Sequence, residues 1–170
     1  MEEERRSKEH IIPLDIYTDG SLKKIGSTAF GGWAYIVTQD GKEVCWAAGG
    51  ENCTTNQRME LKAILEGLKY AQFNRRPNER VTIYSDSAYA INCYRQQWYV
   101  NWQSNGWRNA NKQSVANQDL WIQIIPFFEN FWYNFCKVEG HAGIFWNEEC
   151  DKHAQYEAEQ LKHKWRGKNV

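Results

Sequence analysis

Prolines number only three and no low-complexity tract interrupts the 170 residues, which excludes a linker-dominated chain and leaves a globular one. No run approaches the roughly 20 consecutive apolar residues that a membrane helix needs, so no membrane partner is expected. The stretch from Met1 to His10 is rich in Glu, Arg and Lys and lacks the apolar core of a secretion signal. The five cysteines, Cys45, Cys53, Cys93, Cys136 and Cys150, are odd in number and form no Cys-x-x-Cys pair. Neither a disulfide framework nor a thiolate zinc site fits that pattern. A reducing, cytoplasmic setting is the simplest expectation, with Cys45, Cys93 and Cys136 as core packing. An excess of positive charge is absent too: 21 Lys and Arg cancel 21 Asp and Glu. Nucleic-acid binders are ordinarily basic, because phosphate contacts dominate their affinity. Neutrality leaves that class open, since clustered carboxylates can cancel a basic face elsewhere, but it predicts modest affinity at physiological salt.

What is there reads as one domain over residues 13–165, after a solvated lead-in at 1–12 and before a short tail at 166–170. Leu14 to Thr18 alternates and runs into Asp19-Gly20, a strand followed by a turn. Phe30 to Thr38 and Lys42 to Ala48 flank Gln39-Asp40-Gly41, a hairpin signal. From Thr55 the period changes, and Leu61, Ile64, Leu65 and Leu68 mark one face of a helix with Glu60 in its first turn. Glu79 to Ser85 reads as a strand, and a helix follows from Asp86 or Ser87 to Gln97. Residues 98–118 hold Trp98, Tyr99, Trp102 and Trp107 among Asn, Gln and Ser, a tryptophan-rich handle. A helical stretch from Asp119 broken at Pro126, a strand from Asn134 and a loop at Gly140 to Gly143 come next. Asn147 then caps a final helix with Cys150, Ala154, Ala158, Leu161 and Trp165 on its buried row. The order β-β-β-α-β-α-α-α-β-α predicts an α/β fold: a mixed five-stranded sheet, part antiparallel meander and part parallel, flanked by helices.

Four acidic residues sit where these elements begin or end: Asp19, Glu60, Asp86 and Asp151. Two carboxylates at 4 Å repel by roughly 4 kcal/mol at an effective dielectric near 20. Such a cluster is kept chiefly where hard divalent cations neutralise it. In mixed sheets, ligands gather at the carboxyl ends of strands, which is where Asp19 and Asp86 are expected. Taken singly, each residue has an ordinary structural explanation: Asp19 as a turn former, Asp86 as a helix cap, Glu60 and Asp151 as solvated helix residues. Asp15, outside any motif, reads as structural.

Taken together they resemble a known family. Tyr17-Thr18-Asp19-Gly20-Ser21, Thr54-Thr55-Asn56-Gln57-Arg58-Met59-Glu60-Leu61, Ser85-Asp86-Ser87, His141-Ala142-Gly143 and Asn147-Glu148-Glu149-Cys150-Asp151 follow the order and approximate spacing of type 1 ribonuclease H. The resemblance implies endonucleolytic hydrolysis of the RNA strand of an RNA–DNA hybrid, leaving 5′-phosphate and 3′-hydroxyl ends. It implies two Mg2+ ions, with Mn2+ as a substitute. Asp19 and Asp151 would chiefly hold the ion that activates a water; Asp19, Glu60 and Asp86 would hold the one that stabilises the leaving oxygen. His141 is implied to shuttle a proton or to assist product release.

The same resemblance brings Asn56 and Gln57 to the minor groove, where ribose 2′-hydroxyls distinguish RNA from DNA. Thr55 and Asn117 match positions that grip a DNA phosphate, and Tyr89 and Trp98 match an aromatic floor beneath deoxyribose rings. Three departures stand out. Gln103, Ser104 and Asn105 occupy the handle's tip where relatives are basic. Lys23-Lys24 replaces a Gly-Asn-Pro run in the first loop, and Cys53 stands where some relatives place an arginine. No separate N-terminal hybrid-binding module is expected, and the chain reads as a monomer. Two other readings stay open at this level: a non-catalytic hybrid-binding module, and an integrase- or resolvase-like enzyme on the same fold.

Overall fold

Side chains alternating between two faces build three consecutive strands, β1 (Ile12–Ile25), β2 (Thr28–Gln39) and β3 (Lys42–Asn52). The computed structural model describes residues 10–169, leaving out the side chains of residues 140–142. The three strands form an antiparallel meander in which Asp19 lies opposite Ala34, and Ala34 opposite Ala48. β4 (Glu79–Ser85) and β5 (Tyr133–Lys137) add in parallel beyond β1. The resulting order is β3-β2-β1-β4-β5.

Among the described residues five α-helices complete the fold, α1 (Asn56–Asn74), α2 (Ala88–Gln96), α3 (Trp98–Ser104), α4 (Gln118–Ile124) and α5 (Gly140–Lys168), with a 3-10 turn at Ile125–Phe127 after α4. Helices α1 to α4 cover one face of the sheet, where Ile16, Leu61, Leu65, Ile83, Ile91 and Trp121 share a single buried cluster. Helix α5 crosses the opposite face over β1, β2 and β3. A Cβ at Gly32 would run into the Ala154 carbonyl, so only glycine lets α5 settle this close to β2. Cys150, Ala154 and Ala158 are fully buried along that seam; Leu161 is half-buried, and Trp165, expected on the buried row, is exposed beyond the seam's end with its ring 6.0 Å from that of Phe30.

The element order matches the expectation, but several boundaries move. β1 does not turn at Asp19-Gly20; it runs on to Ile25, and β2 begins at Thr28, two residues before the expected Phe30. Antiparallel pairing with β2 continues through Ile25–Thr28, so Lys23-Lys24 is strand and only Gly26-Ser27 turns. Long-range pairing here overrides the local turn signal of Asp-Gly. Helix α5 begins at Gly140, not at a cap formed by Asn147, whose Oδ1 is buried within the helix without a hydrogen-bond partner. Packing sustains that extra turn despite its glycines: Trp146 stands 6.4 Å from Tyr17, ring to ring. The expected tail at 166–170 is helical as far as Lys168, and the first nine residues of the expected lead-in lie outside the described residues. Cys93 is buried as expected of core packing, whereas Cys45 and Cys136 are only partly covered.

Candidate active site

Parallel pairing of β1 with β4 stops at Tyr17–Tyr84, while β1 itself continues. Asp19 therefore stands on β1 just beyond the carboxyl end of β4, and Asp86 follows Ser85, the last residue of that strand. The Thr18 hydroxyl donates to the Tyr84 carbonyl at 2.8 Å, tying the two strands together at this rim. The Ser87 amide donates to the Ser85 hydroxyl at 3.1 Å, closing a tight turn around Asp86.

Glu60 arrives from α1 because Gly20 permits a close approach. A Cβ on Gly20 would lie 2.5 Å from the Glu60 nitrogen and 2.6 Å from the Met59 carbonyl carbon, so any side chain here would lift the helix. Thr55 caps α1 by accepting from the Arg58 amide at 3.1 Å. Glu60 is thus the fifth helical residue, one turn later than the sequence suggested. Asp151 comes from α5, next to Cys150, whose thiol donates to the Tyr17 carbonyl at 3.2 Å. That bond, two residues before Asp19, anchors α5 to β1 where the acidic residues converge.

The electrostatics of the four are coupled. Asp19 is 6% exposed, and its carboxyl is pushed up to about 8 by burial first and then by Asp86, with Asp151 and Glu60 adding to the rise. The Gly20 amide, donating to Asp19 Oδ1 at 2.8 Å, opposes this by favouring the anion. Burial and Asp86 also raise Glu60, against hydrogen bonds from Ser87 and from the Asn56 amide at 3.3 Å. Distant stretches of chain have been brought to one negatively charged rim.

This donor set fits a hard divalent cation. Ion pairs among the described residues engage Glu51, Glu66, Glu79, Asp119 and Glu149, and none of the four rim carboxylates. No ion pair among the described residues neutralises these carboxylates, and the ligand atoms are all oxygen, as Mg2+ and Mn2+ prefer. Among the described residues no three potential ligands are drawn close enough to enclose an ion unaided. Mg2+ ordinarily keeps several waters between itself and the protein.

The other sequence-derived residues fall into two neighbouring groups. Thr55 and Asn56 are exposed, and Gln57 half-buried, at the amino end of α1 beside Glu60. Asn117 precedes α4 with φ 60°, and its Oδ1 accepts from Arg58 at 3.4 Å. Tyr89 and Trp98, with ring centroids 5.6 Å apart, line an open groove of about 480 Å3 together with Trp102, Asn101, Asn105 and Arg108. Of the handle aromatics, Tyr99 and Trp102 are buried in the main core, while Trp98, like Tyr89 on α2, is partly buried against it and turns toward the groove. The His141 side chain lies outside the described residues.

Sequence reading missed residues whose task is to hold others. Ser87 bonds Glu60, Cys150 pins α5, and Arg58 spans three elements. Ser87 carried a local signal as an N-cap and Cys150 as part of a buried helical row, whereas the carboxylate partners of Arg58 lie 7 and 61 positions away.

A family model described as RNase H matches residues 13–159. The ribonuclease H of Syntrophomonas wolfei is 44% identical over 142 residues, covering 82% of this chain and 92% of that protein. That of a Thermoanaerobacter species is 42% identical over 155 residues, covering 90% and 92%. Among solved structures, LC9-RNase H1, described as a type 1 RNase H with the type 2 active-site motif, superposes with a TM-score of 0.72 at 24% identity. It covers 88% of this chain and 74% of the other.

Proposed function

This chain belongs to the ribonuclease H family, and we propose that Asp19, Glu60, Asp86 and Asp151 are the residues with which it cleaves the RNA strand of RNA–DNA hybrids. Asp19 carries the reading. Asp19 is 6% exposed, three more carboxylates raise its pKa, and among the described residues no ion pair neutralises it, so its charged form is costly unless a metal compensates it.

Two divalent cations, Mg2+ or Mn2+, would be held here, one chiefly by Asp19 and Asp151 and the other by Asp19, Glu60 and Asp86. When bound they supply Lewis-acid activation of the attacking water and neutralise charge at the scissile phosphate. The protein's own part is orientation. The Gly20 amide fixes Asp19, Ser87 and Asn56 fix Glu60, and the Ser85-Asp86-Ser87 turn fixes Asp86. Water adds to phosphorus as the bond to the ribose 3′-oxygen breaks, which leaves a 5′-phosphate and a 3′-hydroxyl. His141 moves the proton that this exchange releases.

Selectivity comes from two strands read on two surfaces. Asn56 and Gln57 face ribose 2′-hydroxyls, while Thr55 and Asn117 take a phosphate of the DNA strand. The groove beside Tyr89 and Trp98 seats deoxyribose rings. The single domain acts as a monomer, and the odd number of cysteines, all unpaired, suits a reducing cytoplasm; no helix among the described residues is long and apolar enough to cross a membrane.

One gel tests the whole reading: end-labelled hybrid, RNA duplex and DNA duplex, each with millimolar Mg2+ or with chelator. Cleavage is expected for the hybrid's RNA strand alone and only with metal. An intact hybrid in Mg2+, or hybrid cleavage that survives chelation, would overturn it.

A further inference from the structure

One cation of this protein is engaged more heavily than its position on the surface of α1 requires. Arg58 Nε donates to Glu51 Oε1 on β3 at 2.7 Å. Its Nη1 and Nη2 fork onto the two oxygens of Asp119 on α4, at 3.0 and 2.8 Å. Nη1 also donates to Asn117 Oδ1 at 3.4 Å, and the backbone amide donates to the Thr55 hydroxyl oxygen at 3.1 Å. Two carboxylates therefore flank the guanidinium, so it is not a spare charge available to attract phosphate.

What it determines is direction. A guanidinium has no acceptor, so the atom of Asn117 turned toward it must be the carbonyl oxygen. The Asn117 side-chain N–H groups are then directed away from Arg58. The Asn117 backbone is settled as well, with φ 60° and its carbonyl accepting from the Leu120 and Trp121 amides, each at 3.0 Å. On α1, the Thr55 oxygen already accepts from the Arg58 amide, which leaves its hydroxyl proton free to donate. Both residues keep a donor and have an acceptor occupied.

We infer that Arg58 is a positioning residue whose side chain sets the amide of Asn117, so that this amide and the Thr55 hydroxyl, held by the position-58 backbone amide, both present donors to one phosphate of the DNA strand. This rests on the reading of Thr55 and Asn117 as phosphate contacts. Lysine at position 58 would retain the charge and the backbone amide. Its single ammonium cannot fork onto Asp119 while also holding Asn117, so the Asn117 amide would be free to rotate.

Steady-state kinetics on a short hybrid test this, using Arg58→Lys, Asn117→Ala and the double variant, with thermal melts alongside. Arg58→Lys is expected to raise KM about 5- to 10-fold, the worth of one oriented hydrogen bond, with kcat within about twofold. In the Asn117→Ala background the same change should add less than about twofold, because its route of action is gone. The inference is overturned if Arg58→Lys keeps the parent KM, or if the two changes multiply independently. Should Arg58→Lys melt below the assay temperature, Asp119→Asn takes its place: it releases the fork while leaving Arg58 present, and the same pattern is expected. If Thr55→Ala and Asn117→Ala each leave KM unchanged, the phosphate-contact reading fails by itself, and the inference falls with it.

Discussion

Replacing Asp19 by Asn should make the metal-free protein more stable while removing its activity. The carboxyl of Asp19 has a folded pKa of about 8 against an ordinary value of 3.8, chiefly from burial and then from Asp86. A group whose pKa is raised on folding lends stability that is complete below the unfolded value and is lost as pH climbs through the folded one. The loss here runs from about pH 4 to about pH 8, at about 1.4 kcal/mol per unit, and reaches roughly 6 kcal/mol at most. Asn keeps an oxygen for the Gly20 amide, which Asp19 Oδ1 now takes at 2.8 Å, and carries no charge at any of these pH values. For a domain of this size, 1 kcal/mol moves the melting temperature by about 2–4 °C. In chelator, Asp19→Asn is therefore expected to melt about 10 °C or more above the parent at pH 8, and only a few degrees above it at pH 5. Millimolar Mg2+ should narrow the gap at pH 8 by stabilising the parent, which alone has the full carboxylate set. Circular-dichroism melts at half-unit pH steps supply the data. Parent and variant curves that run parallel from pH 5 to pH 8, or a parent indifferent to Mg2+, would refute the clustered, uncompensated site.

Asp86 is exposed in its turn, so Asp86→Asn should lower kcat on a labelled hybrid by at least about 100-fold while shifting the melt by only a few degrees; near-parent turnover would remove Asp86 from the site. Gly20→Ala places a methyl group 2.5 Å from the Glu60 nitrogen, which should cost about 1–3 kcal/mol in urea unfolding. Its activity should fall further than that of a surface variant of equal stability, because Glu60 moves with the helix. Trp98→Ala, which strips one wall from the groove beside Tyr89, should raise KM for hybrid about tenfold with kcat close to the parent. A fall in kcat at constant KM would instead place Trp98 outside ground-state binding.

Local chemistry along the chain was enough for a good part of this description. Strand β4 was legible to the residue, because Val81, Ile83 and Ser85 face inward in strict alternation between Pro77-Asn78 and the Ser87 cap. The handle announced itself through tryptophans set among Asn, Gln and Ser. Local chemistry misled where pairing across the sheet was decisive. Asp19-Gly20 has the composition of a turn, yet β2 holds it in eleven consecutive antiparallel pairs from Asp15 to Ile25. The glycines at 140 and 143 read as a loop, yet helix α5 spans them where Trp146 packs on Tyr17.

By itself the sequence determined which acidic residues are present, on which kinds of element they ride, and what reaction class their pattern implies, because motif spacing and periodicity are written in consecutive residues. Only the tertiary structure decided that Asp19 is buried among the other three, that Gly20 admits α1, and that Cys150 and Arg58 hold neighbouring elements in place. Those are contacts between residues as far as 133 positions apart. Burial, repulsion and hydrogen-bond direction are properties of proximity, and proximity exists only once the sheet and its helices have assembled.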